Sequence, residues 1–179
     1  MMTKITIIPI LLSFVVLILS ACAEAEMDDD LAANYSSKAN VLEGTWKGKC
    51  YQENNGQYAQ GVAIYAGETA RLESQAYSDA QCTNPTASDI NLRTNGTFTL
   101  EEGGTIEGKK LTKINHSLTV THSEGQLASF YPIGFSFNSA TEYFIDGNRM
   151  YSTDAYTNIF TDGSYNHATQ IDEEYAIRQ

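Results

Sequence analysis

From Gly44 onward the chain alternates apolar and polar side chains with a period of two, the pattern of strands that bury one face and wet the other. In "GTWKGKCY", Trp46, Gly48 and Cys50 share one face, and Thr45, Lys47, Lys49 and Tyr51 the other. In "ARLESQAY", Ala70, Leu72, Ser74 and Ala76 oppose Arg71, Glu73, Gln75 and Tyr77. From Asp89 to Glu101 the same pattern sets Ile90, Leu92, Phe98 and Leu100 against Asp89, Asn91, Arg93, Thr97 and Thr99. Ile114, Leu118 and Val120 continue it, with His116 and His122 on their face, followed by Tyr143 with Ile145 and by Ile171 with Tyr175 and Ile177. The turn signals "ENNG", "AGE", "CTNP", "EEGG", "SEG", "DGN" and "TDGS" fall between these runs. No stretch after Ala39 holds a helical stripe over three turns. About eight strands joined in sequence by short turns predict an all-β fold, a single antiparallel up-and-down β-barrel that leaves no exposed sheet edge; a two-sheet β-sandwich is the alternative.

Ahead of the strands, Ile5 to Leu19 is apolar except for Thr6, Pro9 and Ser13, with Lys4 in front of it. That is the charged start and apolar middle of a secretory signal, too short to cross a bilayer core of about 30 Å comfortably. It ends in Leu19-Ser20-Ala21-Cys22, which resembles the bacterial lipobox. The resemblance implies cleavage between Ala21 and Cys22, diacylglycerol on the Cys22 thiol, and a fatty acid such as palmitate on the new amine. One acyl chain holds a protein only marginally, whereas two or three anchor it stably at ~0.8 kcal/mol per buried CH₂. By the same resemblance, Ala23 after the cysteine favours the outer membrane, facing the periplasm or the cell surface, over the inner one. The next stretch is acidic at Glu24, Glu26, Asp28, Asp29 and Asp30 and poor in large apolar residues, which predicts a disordered tether. A coil of about 20 residues spans on the order of 25 Å. The expected organisation is therefore a signal peptide over 1–21, a lipidated tether over 22–43 and the barrel over 44–179, lipid-anchored in the bacterial cell envelope.

The chain carries a formal charge of −11, which becomes −11 − 1 = −12 once Lys4 leaves with the signal. That sign argues against nucleic acid and leaves a basic protein as a partner class. Of the three cysteines, Cys22 goes to lipid, and Cys50 and Cys82 reach an oxidising compartment where paired thiols persist. A disulfide is the expectation; two free buried thiols or a metal pair are the alternatives. Metal is disfavoured because no His or further Cys lies within two to four residues of either.

Candidates for catalysis are weak. His116 and His122 are six residues apart on one strand, hence roughly 20 Å, too far to share a metal. Ser152, Asp154 and His167 supply the residue types of a triad, but no strand–turn–helix elbow presents the serine, and His167 sits in the polar loop "SYNHAT". "DGNRMYSTD" starts like a calcium loop, yet places Met150 at a ligand position and lacks the mid-loop glycine, so a hairpin explains it better. No catalytic residue, metal or cofactor is expected, and the chain reads as a binding protein rather than an enzyme.

"LEGTW", with Gly44 and Trp46, is similar to the Gly-x-Trp that opens the first strand of lipocalins, where the tryptophan plugs the closed end of the barrel. "STDAY" at 152–156 echoes, with an inserted alanine, a Thr-Asp-Tyr turn of that family. "YAIRQ" places Arg178 where lipocalins keep an arginine that packs on the tryptophan. Together with Trp46-x3-Cys50, "YSDAQCTNP", "NGTFTL" and "YFIDGNRMY", the domain resembles a class of small lipocalin-like bacterial proteins of unassigned function. The resemblance implies a small apolar or amphipathic ligand held inside the barrel. The acidity implies instead a protein–protein module, such as an inhibitor of a basic partner, with a filled barrel. The contents of the lumen separate the two readings.

Overall fold

The computed structural model describes residues 41–157 and 164–179. The expected signal peptide, the expected cleavage site at Ala21 and Cys22, and the expected tether up to residue 40 lie outside the described residues. Eight antiparallel strands close into a barrel in the cyclic order β3-β1-β12-β9-β8-β7-β6-β4, with β4 returning to β3. They are β1 (Gly44–Lys47), β3 (Tyr58–Ala66), β4 (Thr69–Tyr77), β6 (Leu92–Ile106), β7 (Lys109–Ser123), β8 (Ser136–Asp146), β9 (Arg149–Thr153) and β12 (Ile171–Arg178). Two short pieces extend this wall: β2 (Tyr51–Gln52) continues β1 along β3, and β5 (Pro85–Thr86) lies beside β4. β10 (Tyr156–Thr157) and β11 (Tyr165–Asn166) form a separate pair, with β10 against β8. The expected up-and-down topology is present, and closure leaves the eight wall strands without an open edge.

Because neighbours run antiparallel, the connections alternate between two ends. Two-residue turns at 67–68, 107–108 and 147–148 share the end where β1 begins and β12 finishes, which we call the floor. The longer connections 53–57, 78–91, 124–135 and 154–170 share the opposite end, the mouth. At 107–108 both residues have positive φ, Glu107 at 50° and Gly108 at 77°, the conformation of a tight hairpin whose twist matches its strands. "EEGG", read as a turn, instead lies within β6, at a register shift between Glu102 and Thr105. The glycines there allow close packing: a Cβ on Gly103 would meet the Leu111 side chain at 3.0 Å.

Three further details differ from simple alternation. β6 starts at Leu92, not near Asp89, because the N–H of Asn91 turns back to the Ser88 carbonyl at 3.2 Å. A second register shift sets Arg93 opposite His122 while Thr94 faces Val120. His122 therefore leaves the face of His116 and is about half exposed, whereas His116 is buried. In β12, which carries a two-residue register shift between Ile171 and Tyr175, Ala176 points inward and Ile177 is exposed on the outer wall, so the apolar letters of this strand mark its outer face.

Candidate functional site

The floor is built around Trp46. Its side chain is fully buried, and Nε1 donates to the Leu42 carbonyl at 2.7 Å. Arg178 stands directly opposite it on β12, with its guanidinium carbon 4.5 Å from the ring centroid, a cation–π contact. The guanidinium also donates to the Val41 carbonyl, so the chain entering the barrel is fastened to its last strand. Gly44 explains the spacing of the motif. It adopts φ +126°, beside the Arg178 stem, where a side chain would be strained.

Above the floor the interior is occupied. Tyr65, Leu72, Phe98, Ile114, Leu118, Phe137, Tyr143 and Met150 pack with Trp46 into one cluster, and none is more than 6% exposed. A residue lining an open lumen would show that surface to solvent. Tyr65 meets Phe98 edge-on, with centroids 4.9 Å apart, and its hydroxyl lies 3.1 Å from His116 Nε2. Inside this apolar cylinder the two polar groups satisfy each other.

Burial pushes the His116 imidazole down to about 4. The unfolded chain takes up that proton as pH falls through about 6.5, whereas the folded chain resists until about 4, so stability declines as pH falls across this window. The slope approaches ~1.4 kcal/mol per pH unit at most, and the total is on the order of 3 kcal/mol. Urea midpoints measured from pH 6.5 to 4 are expected to fall in the wild type and to flatten in His116→Gln. Parallel slopes in the two proteins would assign the effect to another group.

The mouth is held by a polar hub centred on Asn91, a buried residue. Its Oδ1 accepts from the Ala76 N–H at 2.7 Å, and Nδ2 donates to the Thr86 carbonyl at 2.8 Å and to Glu124 Oε2 at 2.7 Å. Glu124 also accepts from the Ser88 N–H and lies 3.2 Å from His122 Nε2; with Asn91, these contacts hold its carboxyl below the usual range. Asp89 accepts from the Gln126 N–H, and Asp79 accepts from the N–H groups of Gln81, Thr83 and Asn84. The hub thus ties connection 78–91 to connection 124–135. The latter contains a short helix, Leu127–Phe130, and buries Tyr131 while displaying Phe130 and Ile133. Cys50 and Cys82 form a disulfide at this same end.

The triad candidates are not brought together. Ser152 donates to Asp172, Asp154 accepts from Thr169 and Gln170, and the exposed His167 turns its Nδ1 to Glu142 at 3.1 Å. Glu142, like Asn91, is a residue that sequence reasoning missed. It belongs to the outward-facing set of β8, yet its side chain is wholly buried under the chain that follows β11. Burial opposes its charge, but the Ala168 N–H, the His167 ring and the Gly104 N–H outweigh burial and hold the carboxyl below its usual range. These contacts fasten the 154–170 connection to the outer wall. Among the described residues no three His, Cys, Asp or Glu side chains are placed to hold a metal. The chain matches no protein-family model and no curated protein.

Proposed function

We propose that this protein is a lipid-anchored binding module of the bacterial envelope, held by acyl chains on Cys22, whose barrel is a filled scaffold presenting its mouth to a basic protein partner. The observation that carries the reading is the occupied interior: aromatic and aliphatic side chains fill it from Trp46 at the floor to Tyr131 at the mouth. An eight-stranded barrel is just wide enough either to fill itself or to hold one small ligand, and this one takes the first course. The mature charge of −12 supplies the second element, because a cationic partner is attracted over a Debye length of roughly 8–10 Å. Binding, not catalysis, is the activity proposed.

Native mass spectrometry of protein extracted from its own membrane tests anchor and filling together. The expected mass is that of the chain beginning at Cys22 plus its acyl groups, with no further small molecule retained, and Cys22→Ser should lose the acyl increment. A retained apolar molecule would refute the filled scaffold, and an unacylated chain would refute the anchor.

A further inference from the structure

Among the described residues the exposed large hydrophobic side chains are Val41, Phe130, Ile133, Phe135 and Ile177, and three of them fall within residues 130–135. Phe130 and Ile133 are the most exposed, at 64% and 69%. The segment is held in place. The Tyr131 N–H bonds the Leu127 carbonyl, the Phe135 N–H bonds the Pro132 carbonyl, and both Gly134 and Phe135 bond the backbone of Val120. Tyr131 is buried beneath it, its ring 6.2 Å from that of Phe137. Apolar side chains displayed on a backbone fixed in this way lose little further freedom when a partner covers them.

We infer that residues 130–135 are the docking surface of the mouth, fitted to a cationic protein with an apolar patch ringed by Lys and Arg. The inference rests on the filled-scaffold reading above and adds where the partner sits. Charge selects the occupant. Asp89 and Glu124 stand at the base of this segment, Asp89 accepting from the Gln126 N–H and Glu124 from Asn91 Nδ2. An anionic lipid surface or a second copy of this mouth would bring like charge against these carboxylates. The chain's own acidic tether is unsuited for the same reason, and it enters at Val41, at the floor.

The test uses the full mature chain with Cys22→Ser, so that no detergent competes for the apolar patch. The probes are two labelled peptides of equal charge, one of Lys and Leu and one of Lys and Ser. The Lys–Leu peptide should bind more tightly, and salt should weaken it. Its affinity should fall roughly tenfold or more in Phe130→Ser with Ile133→Ser, the range of contacts that dominate interfaces. It should be unchanged in Val41→Ser with Ile177→Ser, which removes exposed apolar groups at the floor. All four positions are exposed, and melting curves check that the variants fold. Equal binding of both peptides, or no loss in the mouth variant, overturns the docking surface while leaving the filled scaffold standing. A wild-type dimer that the mouth substitutions dissociate would replace the partner with a second copy. A small molecule retained in native mass spectrometry refutes the filled scaffold whatever the peptides do, so the two failures are distinguishable.

Discussion

Trp46→Ala is expected to destabilise the barrel by about 3–5 kcal/mol, the range for emptying a large aromatic from a core. The value should lie toward the upper part because three interactions are lost at once. The ring is fully buried, its Nε1 holds the Leu42 carbonyl, and its face carries the Arg178 guanidinium. Removing the ring leaves Arg178 over a void, still bonded to Val41 but without a partner for its face. A desolvated cation–π contact contributes ~1–2 kcal/mol, so Arg178→Leu should cost less than Trp46→Ala, and the double variant less than the sum of the two. Urea denaturation of the three variants measures this coupling. Trp46 is the only tryptophan, so wild-type emission reports the floor alone. It should be blue-shifted, resist iodide quenching, and stay unchanged when a partner docks at the mouth. A red-shifted, freely quenched emission would mean that the floor is open, and an additive double variant would mean that the stacking contributes nothing.

The barrel was legible because its strands are long, alternate cleanly and follow one another in space. Ala70, Leu72 and Ala76 are buried as the period of two requires, as are Ile114, Leu118 and Val120. Trp46 with Arg178 was legible through a resemblance, and the fold supplies its cause: the first and last strands pair at those two residues. What alternation misses is a single inserted residue. The extra residue in β7 moves His122 off the inward face, although the letters still alternate. In β12 the apolar letters Tyr175 and Ile177 keep their alternation but lie on the outer face, and it is the small Ala176 that points inward. Period-two reasoning has no signal for a bulge unless a glycine marks it. Asn91 and Glu142 were illegible for a different reason. Each reads as an outward strand residue, and each is buried by chain remote in sequence: Asn91 by 124, Glu142 by 167 and 168. A polar residue that serves as a hub looks in sequence like a solvated one, because most of the partners described for it are backbone groups that any sequence provides, and its side-chain partners lie far along the chain.

The mouth carries the second large effect. Removing the Cys50–Cys82 disulfide, by Cys50→Ser with Cys82→Ser, should lower stability by about 3–4 kcal/mol on the chain-entropy estimate for a loop of this size. The two residues are separated by 32 positions, and the closed loop contains β2, β3 and β4. These strands form local hairpins, so the unfolded chain is expected to keep some of this closure without the bond, and the measured loss should sit at or below the estimate. In the native state the bond joins the break after β1 to the turn held by Asp79, where Cys82 itself has φ +51°. Its loss should therefore loosen connection 78–91 first, while Trp46, at the far end, keeps its blue-shifted emission until global unfolding. Melting followed by tryptophan emission and by far-ultraviolet dichroism, with and without reductant, separates local from global effects. The expected result is a melting temperature lower by roughly 10 °C on reduction, and resistance to thiol alkylation of the unfolded chain until reductant is added. Two thiols alkylated in the unfolded, unreduced protein would end the assignment of the bond. A melting temperature indifferent to reductant would show that the Asn91 hub alone holds the mouth together.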